Sequence, residues 1–225
     1  MSTEELKAEV LPDDYNQYDL SFKMLVIGDS GVGKSCLISK VVKGVFNDLY
    51  HETVGLKFLA FNVRINGKVI KLQIIDVSGK ELYRSLISNF YRNVSLAMMV
   101  YAINSKESFS HIETWLKEVK LQSYPDIKIF LIGNKADLEE DRQVTSEEAK
   151  QFKDESGIHF FSEASSKIGL DAEEVFVKAA ILLYSEYLES IQKLKEKVKN
   201  KGDRKRGFND KLYKNFPTLA KWMNI

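Results

Sequence analysis

A glycine-rich segment that directly follows a short apolar run constrains this chain more than any other feature. Residues 28–35 read Gly-Asp-Ser-Gly-Val-Gly-Lys-Ser, and the run before them, Phe22–Ile27, is predicted to be a β-strand. The stretch Lys34–Lys43 after them is predicted to be an α-helix. A strand, the spacing G-x-x-x-x-G-K-S and a helix together indicate a phosphate-binding loop.

The residue types of this loop suit the binding of a polyphosphate. Glycines let the backbone turn tightly, so that its N–H groups point inward at phosphate oxygens. The N-terminus of the following helix adds partial positive charge. We expect Lys34 to reach the β- and γ-phosphates and the Ser35 hydroxyl to ligate Mg²⁺. The alternative is a glycine-rich turn that binds nothing, and the strand–helix context disfavours it.

A second motif, Asn134-Lys135-Ala136-Asp137, follows the predicted strand Ile127–Ile132 and indicates which base is bound. A carboxylate accepts hydrogen bonds from both N1 and the exocyclic amino group of guanine. Adenine lacks this donor pair and would leave the acid unpaired, so Asp137 predicts a guanine nucleotide. The motif alone is weak, because a polar turn at a strand end has the same residues. Its position after a strand of a phosphate-loop fold strengthens it.

The rest of the sequence alternates apolar strands with amphipathic helices. This alternation predicts an α/β fold, a mostly parallel six-stranded sheet with helices on both faces. Strands Phe58–Ile65 and Val69–Ile75 meet at Asn66-Gly67, a strong hairpin signal that supplies one antiparallel edge strand. Further strands are predicted at Ala97–Ile103 and His159–Ser162, and further helices at Ser108–Gln122, Ser146–Glu155 and Asp171–Lys199.

Charge is distributed unevenly along the chain. The net charge is +1, but residues 195–225 contain ten Lys and Arg against three Asp and Glu. This cluster marks a basic tail. We expect an N-terminal extension at 1–19, one globular domain at 20–190, and the end of the last helix with the basic tail at 191–225. The balanced total predicts no nucleic-acid partner.

The location of the protein is predicted from what the sequence lacks. Cys36 is the single cysteine, so no disulfide forms within the chain, as is usual in a reducing compartment. The N-terminus has no signal-peptide pattern, and no apolar stretch reaches the roughly 20 residues that span a bilayer. We expect a cytoplasmic monomer, and association with the periphery of intracellular membranes stays open.

With these motifs the chain resembles the Ras superfamily of small GTPases, and the Rab family within it, from about Leu20 to Leu188. Asp76-Val77-Ser78-Gly79 is similar to the family's D-x-x-G, and Thr53 to the threonine of its first switch. Ser165-Ser166-Lys167 resembles the S-A-K loop, with Ser166 in the alanine position. Rab character rests on Lys71–Ile74, Tyr91-Arg92 and Val100-Tyr101.

The resemblance implies a GTPase that switches between GTP- and GDP-bound forms with Mg²⁺, acts in vesicle traffic, and contacts effector, exchange and activating proteins through two switch regions. Phe46 would stack on guanine, and Tyr50 would close over phosphate. Loss of the γ-phosphate would release Thr53 and Gly79. The implied metal ligands are Ser35, Thr53 and Asp76. The implied nucleotide-binding residues are Ser30, Gly31, Val32, Gly33, Lys34, Ser35, Cys36, Phe46, Tyr50, Thr53, Gly79, Asn134, Lys135, Asp137, Ser165, Ser166 and Lys167.

The sequence departs from the family near the second switch. Lys80 occupies the position of the glutamine that orients the attacking water. A charged lysine donates but does not accept hydrogen bonds, so no catalytic residue is assigned and slow hydrolysis is expected. Alternatively, Lys80 points into solvent. Ile75 and Ser78 replace the usual tryptophan and alanine, so effector specificity should differ. The competing function is a GTP-binding interaction module with negligible hydrolysis.

The C-terminal end also departs from the family. No cysteine follows Cys36, so we expect no prenylation of the chain as given: either it is truncated or it lacks the usual anchor. The tail segment Phe208–Met223 alternates apolar residues with lysines. It is interpreted as a membrane-surface segment, as a segment that docks on the domain or a partner, or as a solvated tail.

Overall fold

The structure is a computed structural model that describes residues 7–46, 55–77 and 90–200. These residues form one seven-stranded sheet in the order β1-β3-β4-β2-β5-β6-β7. The strands are β1 Ala8–Leu11, β2 Leu20–Ile27, β3 Leu56–Ile65, β4 Lys68–Val77, β5 Leu96–Ala102, β6 Lys128–Asn134 and β7 Phe160–Glu163. The described helices are α1 Lys34–Lys43, α2 Lys106–Ser110, α3 Ile112–Gln122, α4 Ser146–Ser156 and α5 Ala172–Asn200, with a 3₁₀ turn at Glu139–Asp141.

The sheet has seven strands rather than the six predicted, because part of the N-terminal extension forms β1. This strand pairs antiparallel with β3, and its Leu11 lies opposite Asn62. Leu11 is buried, and the Asn62 amide donates to the carbonyls of Pro12 and Tyr15, both at 3.3 Å. The strand β3 is antiparallel to both of its neighbours, and β1 covers part of its outer edge.

The hairpin between β3 and β4 confirms the Asn66-Gly67 prediction. Both residues have positive φ, 48° and 79°. A two-residue turn with positive φ at both positions follows the right-handed twist of the flanking strands, and asparagine and glycine tolerate it best. The turn fixes the register in which Ile65 pairs with Lys68.

The predicted helix Ser108–Gln122 is two helices instead of one. The first, α2, begins where the Ser105 side chain accepts from Ser108 N–H at 3.2 Å. The Ser108 hydroxyl also accepts from Ala102 N–H at 3.1 Å, which ties α2 to the end of β5. His111 separates α2 from α3.

Helices cover both faces of the sheet, as predicted, and the central strand β5 is buried along its whole length. Its residues alternate between two apolar cores. Met98 belongs to the core that packs α1 and α5, and Met99 to the core that packs α3. Five strands, β2, β4, β5, β6 and β7, are joined by parallel pairings, so their carboxyl ends meet at one edge. Loops at such an edge are where ligands bind in open α/β sheets.

The last helix, α5, is the longest of the described helices, at 29 residues. No helix in the described ranges is long and apolar enough to cross a bilayer. Residues 201–225 of the predicted basic tail, which include the segment Phe208–Met223, lie outside the described residues.

Candidate nucleotide-binding site

The glycine-rich loop runs from the end of β2 to the start of α1 and is packed against two neighbouring strands. Gly28 has φ +138°, and a Cβ there would lie 2.1 Å from the carbonyl oxygen of Val100. Gly33, at the N-terminus of α1, has φ +93°, and a Cβ there would lie 2.3 Å from the side-chain nitrogen of Asn134. Only glycine fits at these positions, so the close approach fixes the path of the loop.

Lys34 places its ammonium within this loop. Its Nζ donates to the carbonyl oxygens of Gly28 at 2.8 Å and Asp29 at 2.7 Å. Lys34 is 6% exposed, and burial lowers its pKa to about 8, although Asp76 and Asp29 attract the charged form. The loop therefore holds a desolvated cation, for which an anionic group is a better partner than backbone carbonyls.

Asp76 near the end of β4 supplies an acidic group next to this cation. It is 1% exposed, and burial raises the pKa of its carboxyl, against the opposing effects of a hydrogen bond with Ser35 and the charge of Lys34. Among the described residues, Oδ1 of Asp76 has no hydrogen-bond partner. A buried carboxylate oxygen beside a serine hydroxyl is the donor set that Mg²⁺ prefers, so these residues fit a magnesium ion.

Asn134 at the end of β6 joins three segments of the chain. It is fully buried, and its Nδ2 donates to the carbonyl of Val32 at 2.8 Å. Its Oδ1 accepts from the N–H of Ser166 at 3.2 Å. The glycine-rich loop, the strand β6 and the loop after β7 are therefore connected by one amide side chain.

Asp137 is held by the loop after β7. The Ser165 hydroxyl donates to Oδ1 of Asp137 and accepts from the N–H of Ile168 at 3.2 Å. The backbone is tied at the same place, since Ala136 N–H donates to the carbonyl of Ala164 at 3.0 Å. The carboxyl group is thus fixed before any ligand arrives, as a base-reading group needs to be.

Comparison with known protein families shows to which family the chain belongs. A family model of the Ras family matches residues 23–185, which is most of the chain. The chain belongs to the Ras family. It is therefore a small GTPase, a GTP-binding switch protein on a Ras-like G domain.

The structure of this Ras-family protein brings most of the predicted site residues together and leaves some undescribed. Cys36 is half-buried in α1, where burial raises the pKa of its thiol, and Phe46 is half-buried at the end of the first described range. Lys135 has φ 65°, and Lys167 is exposed. Tyr50, Thr53, Gly79 and Lys80, to which the sequence analysis assigns roles, lie outside the described residues, as does Ser78. The remaining predicted residues lie in the loops described above or at the ends of the adjoining strands and helix: Ser30, Gly31, Val32, Gly33, Lys34, Ser35, Asp76, Asn134, Asp137, Ser165 and Ser166.

One contact of the phosphate loop was missed by sequence reasoning. Trp115 is a buried core residue, 1% exposed. Its indole N–H, however, donates to the Asp29 carboxylate in the phosphate loop at 2.9 Å. The two residues are 86 positions apart, so nothing in the local sequence indicates the contact.

Replacing Asn134 with alanine should destabilise this GTPase strongly. The substitution leaves the carbonyl of Val32 and the N–H of Ser166 buried without their partner. We expect the free energy of unfolding to fall by about 2–4 kcal/mol, since each such group costs about 1–3 kcal/mol. Urea unfolding followed by circular dichroism measures this. Gln192→Ala, in an exposed position of α5, is the control and should change the value by less than about 0.5 kcal/mol. An equal fall in the free energy of unfolding in the two variants would contradict the role of Asn134 in joining these segments.

Proposed function

We propose that this Ras-family GTPase is a Rab-type switch that binds GTP and GDP with Mg²⁺, hydrolyses GTP slowly and acts in vesicle-mediated membrane traffic in the cytoplasm. Nucleotide binding is supported above all by Asn134, which joins the phosphate loop to the loops that would read the base. A phosphate site and a base site at a fixed separation are what a nucleotide requires.

The proposed magnesium site uses oxygen ligands from three parts of the chain. Ser35 and Thr53 would bind the ion directly and Asp76 through water, and Thr53 lies outside the described residues. The hydrogen bond between Ser35 and Asp76 and the unpartnered Oδ1 of Asp76 support this assignment. When bound, Mg²⁺ would neutralise charge on the phosphate oxygens.

The Rab assignment rests on sequence motifs and one surface. Phe58 of β3 is 67% exposed, and its ring centroid is 5.9 Å from that of Phe90. Phe58 lies close in sequence to the undescribed segment 47–54, and the half-buried Phe90 directly follows the undescribed segment 78–89. This aromatic pair suits partner proteins that read the switch regions. Ile75, in the usual tryptophan position, is 4% exposed and does not enlarge that surface. We therefore propose effector preferences that differ from those of typical Rab proteins.

The second candidate is a GTP-binding interaction module with negligible hydrolysis. It is favoured by Lys80, which stands where the family has the water-orienting glutamine. In this version the nucleotide would still control partner binding, but return to the GDP form would depend on a partner or on nucleotide exchange.

Asp137→Asn tests base recognition. The amide has one acceptor oxygen and a donor NH₂, so it cannot accept both hydrogen bonds from guanine. We expect GDP affinity, measured by calorimetry with Mg²⁺ present, to fall at least about 100-fold, because sites built for specific hydrogen bonds discriminate strongly. Glu139→Gln, an exposed change in the same loop, is the control and should leave affinity unchanged. An affinity of Asp137→Asn within a few-fold of wild type would refute the proposed role.

Lys80→Gln tests the slow hydrolysis. Glutamine accepts and donates hydrogen bonds and can orient the attacking water, whereas the charged lysine only donates. We expect single-turnover GTP hydrolysis to become at least about tenfold faster. Lys117→Gln, which makes the same chemical change at an exposed position of α3, should leave the rate unchanged. A hydrolysis rate of Lys80→Gln equal to or below that of the wild type would contradict the proposal that Lys80 slows GTP hydrolysis.

A further inference from the structure

The phosphate loop carries a carboxylate of its own, and α3 with its preceding residue holds that carboxylate from the side. One oxygen of Asp29, Oδ1, accepts from the indole N–H of Trp115 at 2.9 Å. The other, Oδ2, lies 2.6 Å from Nδ1 of His111. Because a carboxylate only accepts hydrogen bonds, Nδ1 carries the proton in this contact. His111 and Trp115 are four residues apart and so lie on one face of the helical turn, where both reach the same group.

Asp29 connects this outer contact to the inside of the phosphate loop. Its side chain is held by α3, while its backbone carbonyl accepts from Nζ of Lys34 at 2.7 Å. A shift of the Asp29 side chain therefore moves a group that contacts the phosphate-binding lysine. The charge of Asp29 also attracts the Lys34 ammonium, so a shift of the Asp29 side chain affects Lys34 electrostatically as well.

The charge of Asp29 makes this arrangement important for an anionic ligand. A carboxylate beside a polyphosphate repels it, and the repulsion weakens when donors turn the carboxylate aside and share its charge. The Trp115 side of the contact is shielded from water, since Trp115 is 1% exposed and the Asp29 side chain is 21% exposed. His111 lies on the solvent-exposed side of the contact and is itself 47% exposed.

We propose that Trp115 and His111 are positioning residues that hold the phosphate loop in its nucleotide-retaining conformation through the Asp29 carboxylate. The inference rests on the proposed nucleotide binding of this loop. Trp115 and His111 touch neither phosphate nor base; they act through Asp29 on the loop that does.

The first experiment measures release of a fluorescent GDP from the full-length magnesium-bound protein after addition of excess unlabelled GDP. Trp115→Phe keeps an aromatic ring in the buried position and removes the N–H donor. We expect release about ten- to hundredfold faster, which corresponds to the loss of one hydrogen bond to a charged group. In an Asp29→Ala background the same Trp115→Phe change should alter release by less than about twofold, because the acceptor is already gone.

Two further variants separate this role from general stability. His111→Asn keeps a nitrogen donor at the δ position and should release GDP at nearly the wild-type rate, whereas His111→Ala should release it faster. Tyr91→Phe is the matched control, since it removes the 3.3 Å hydrogen bond that the Tyr91 hydroxyl donates to Glu118 of α3 and keeps Asp29, His111 and Trp115 unchanged. Its release rate should equal that of wild type, whatever its melting temperature.

The outcomes distinguish this inference from the proposed function. If the wild type binds GDP and Trp115→Phe releases it at the wild-type rate, the inference is wrong and the proposed function stands. The same holds if the effect of Trp115→Phe persists in the Asp29→Ala background. If Trp115→Phe does not fold, equal release by His111→Ala and His111→Asn overturns the inference. If the wild type binds neither GDP nor GTP, both proposals fail.

Discussion

The buried amide of Asn134 is the interaction on which the candidate site depends. It belongs to β6, donates to the phosphate loop at Val32 and accepts from the loop after β7 at Ser166. A fully buried amide that lost these partners would leave polar groups without hydrogen bonds, at a cost of about 1–3 kcal/mol for each group. The two halves of the site are therefore held at one separation by the core of the domain rather than by a ligand.

The charged groups of the site are unfavourable until a ligand completes them. Burial lowers the pKa of Lys34 to about 8 and raises that of Asp76, so each group is penalised in its charged form. An anion would give the ammonium a charged partner in place of backbone carbonyls, and a divalent cation would give the carboxylate one. The opposite shifts of these two neighbours support a ligand that brings both charges together, such as a magnesium-bound phosphate chain.

Local features of the fold were predictable from the sequence, and distant contacts were not. The helix predicted at Lys34–Lys43 begins and ends at the same residues in the structure, because a glycine with positive φ precedes it and another follows it. The Asn66-Gly67 turn was equally local. The strand β1 was missed, since its four residues form a strand only by pairing with β3, more than fifty positions later in the chain.

The same distinction applies to the site. The phosphate loop and Asn134 were predictable because their residue types follow predicted strands in fixed patterns, and Asp76 because Asp76-Val77-Ser78-Gly79 resembles the family's D-x-x-G. The contact between Asp29 and Trp115 was not, because it depends on how α3 packs on the sheet next to the phosphate loop. The link from Asn134 to Val32 spans 102 positions and likewise appears only in the folded chain.

Native mass spectrometry of the freshly purified full chain tests the account most directly. The account predicts a complex whose added mass equals GDP or GTP with one magnesium ion, and whose ligand is displaced by excess GDP but not by excess ADP. A chain that emerges empty and takes up neither guanine nucleotide at micromolar concentrations, or that prefers ADP, would contradict it.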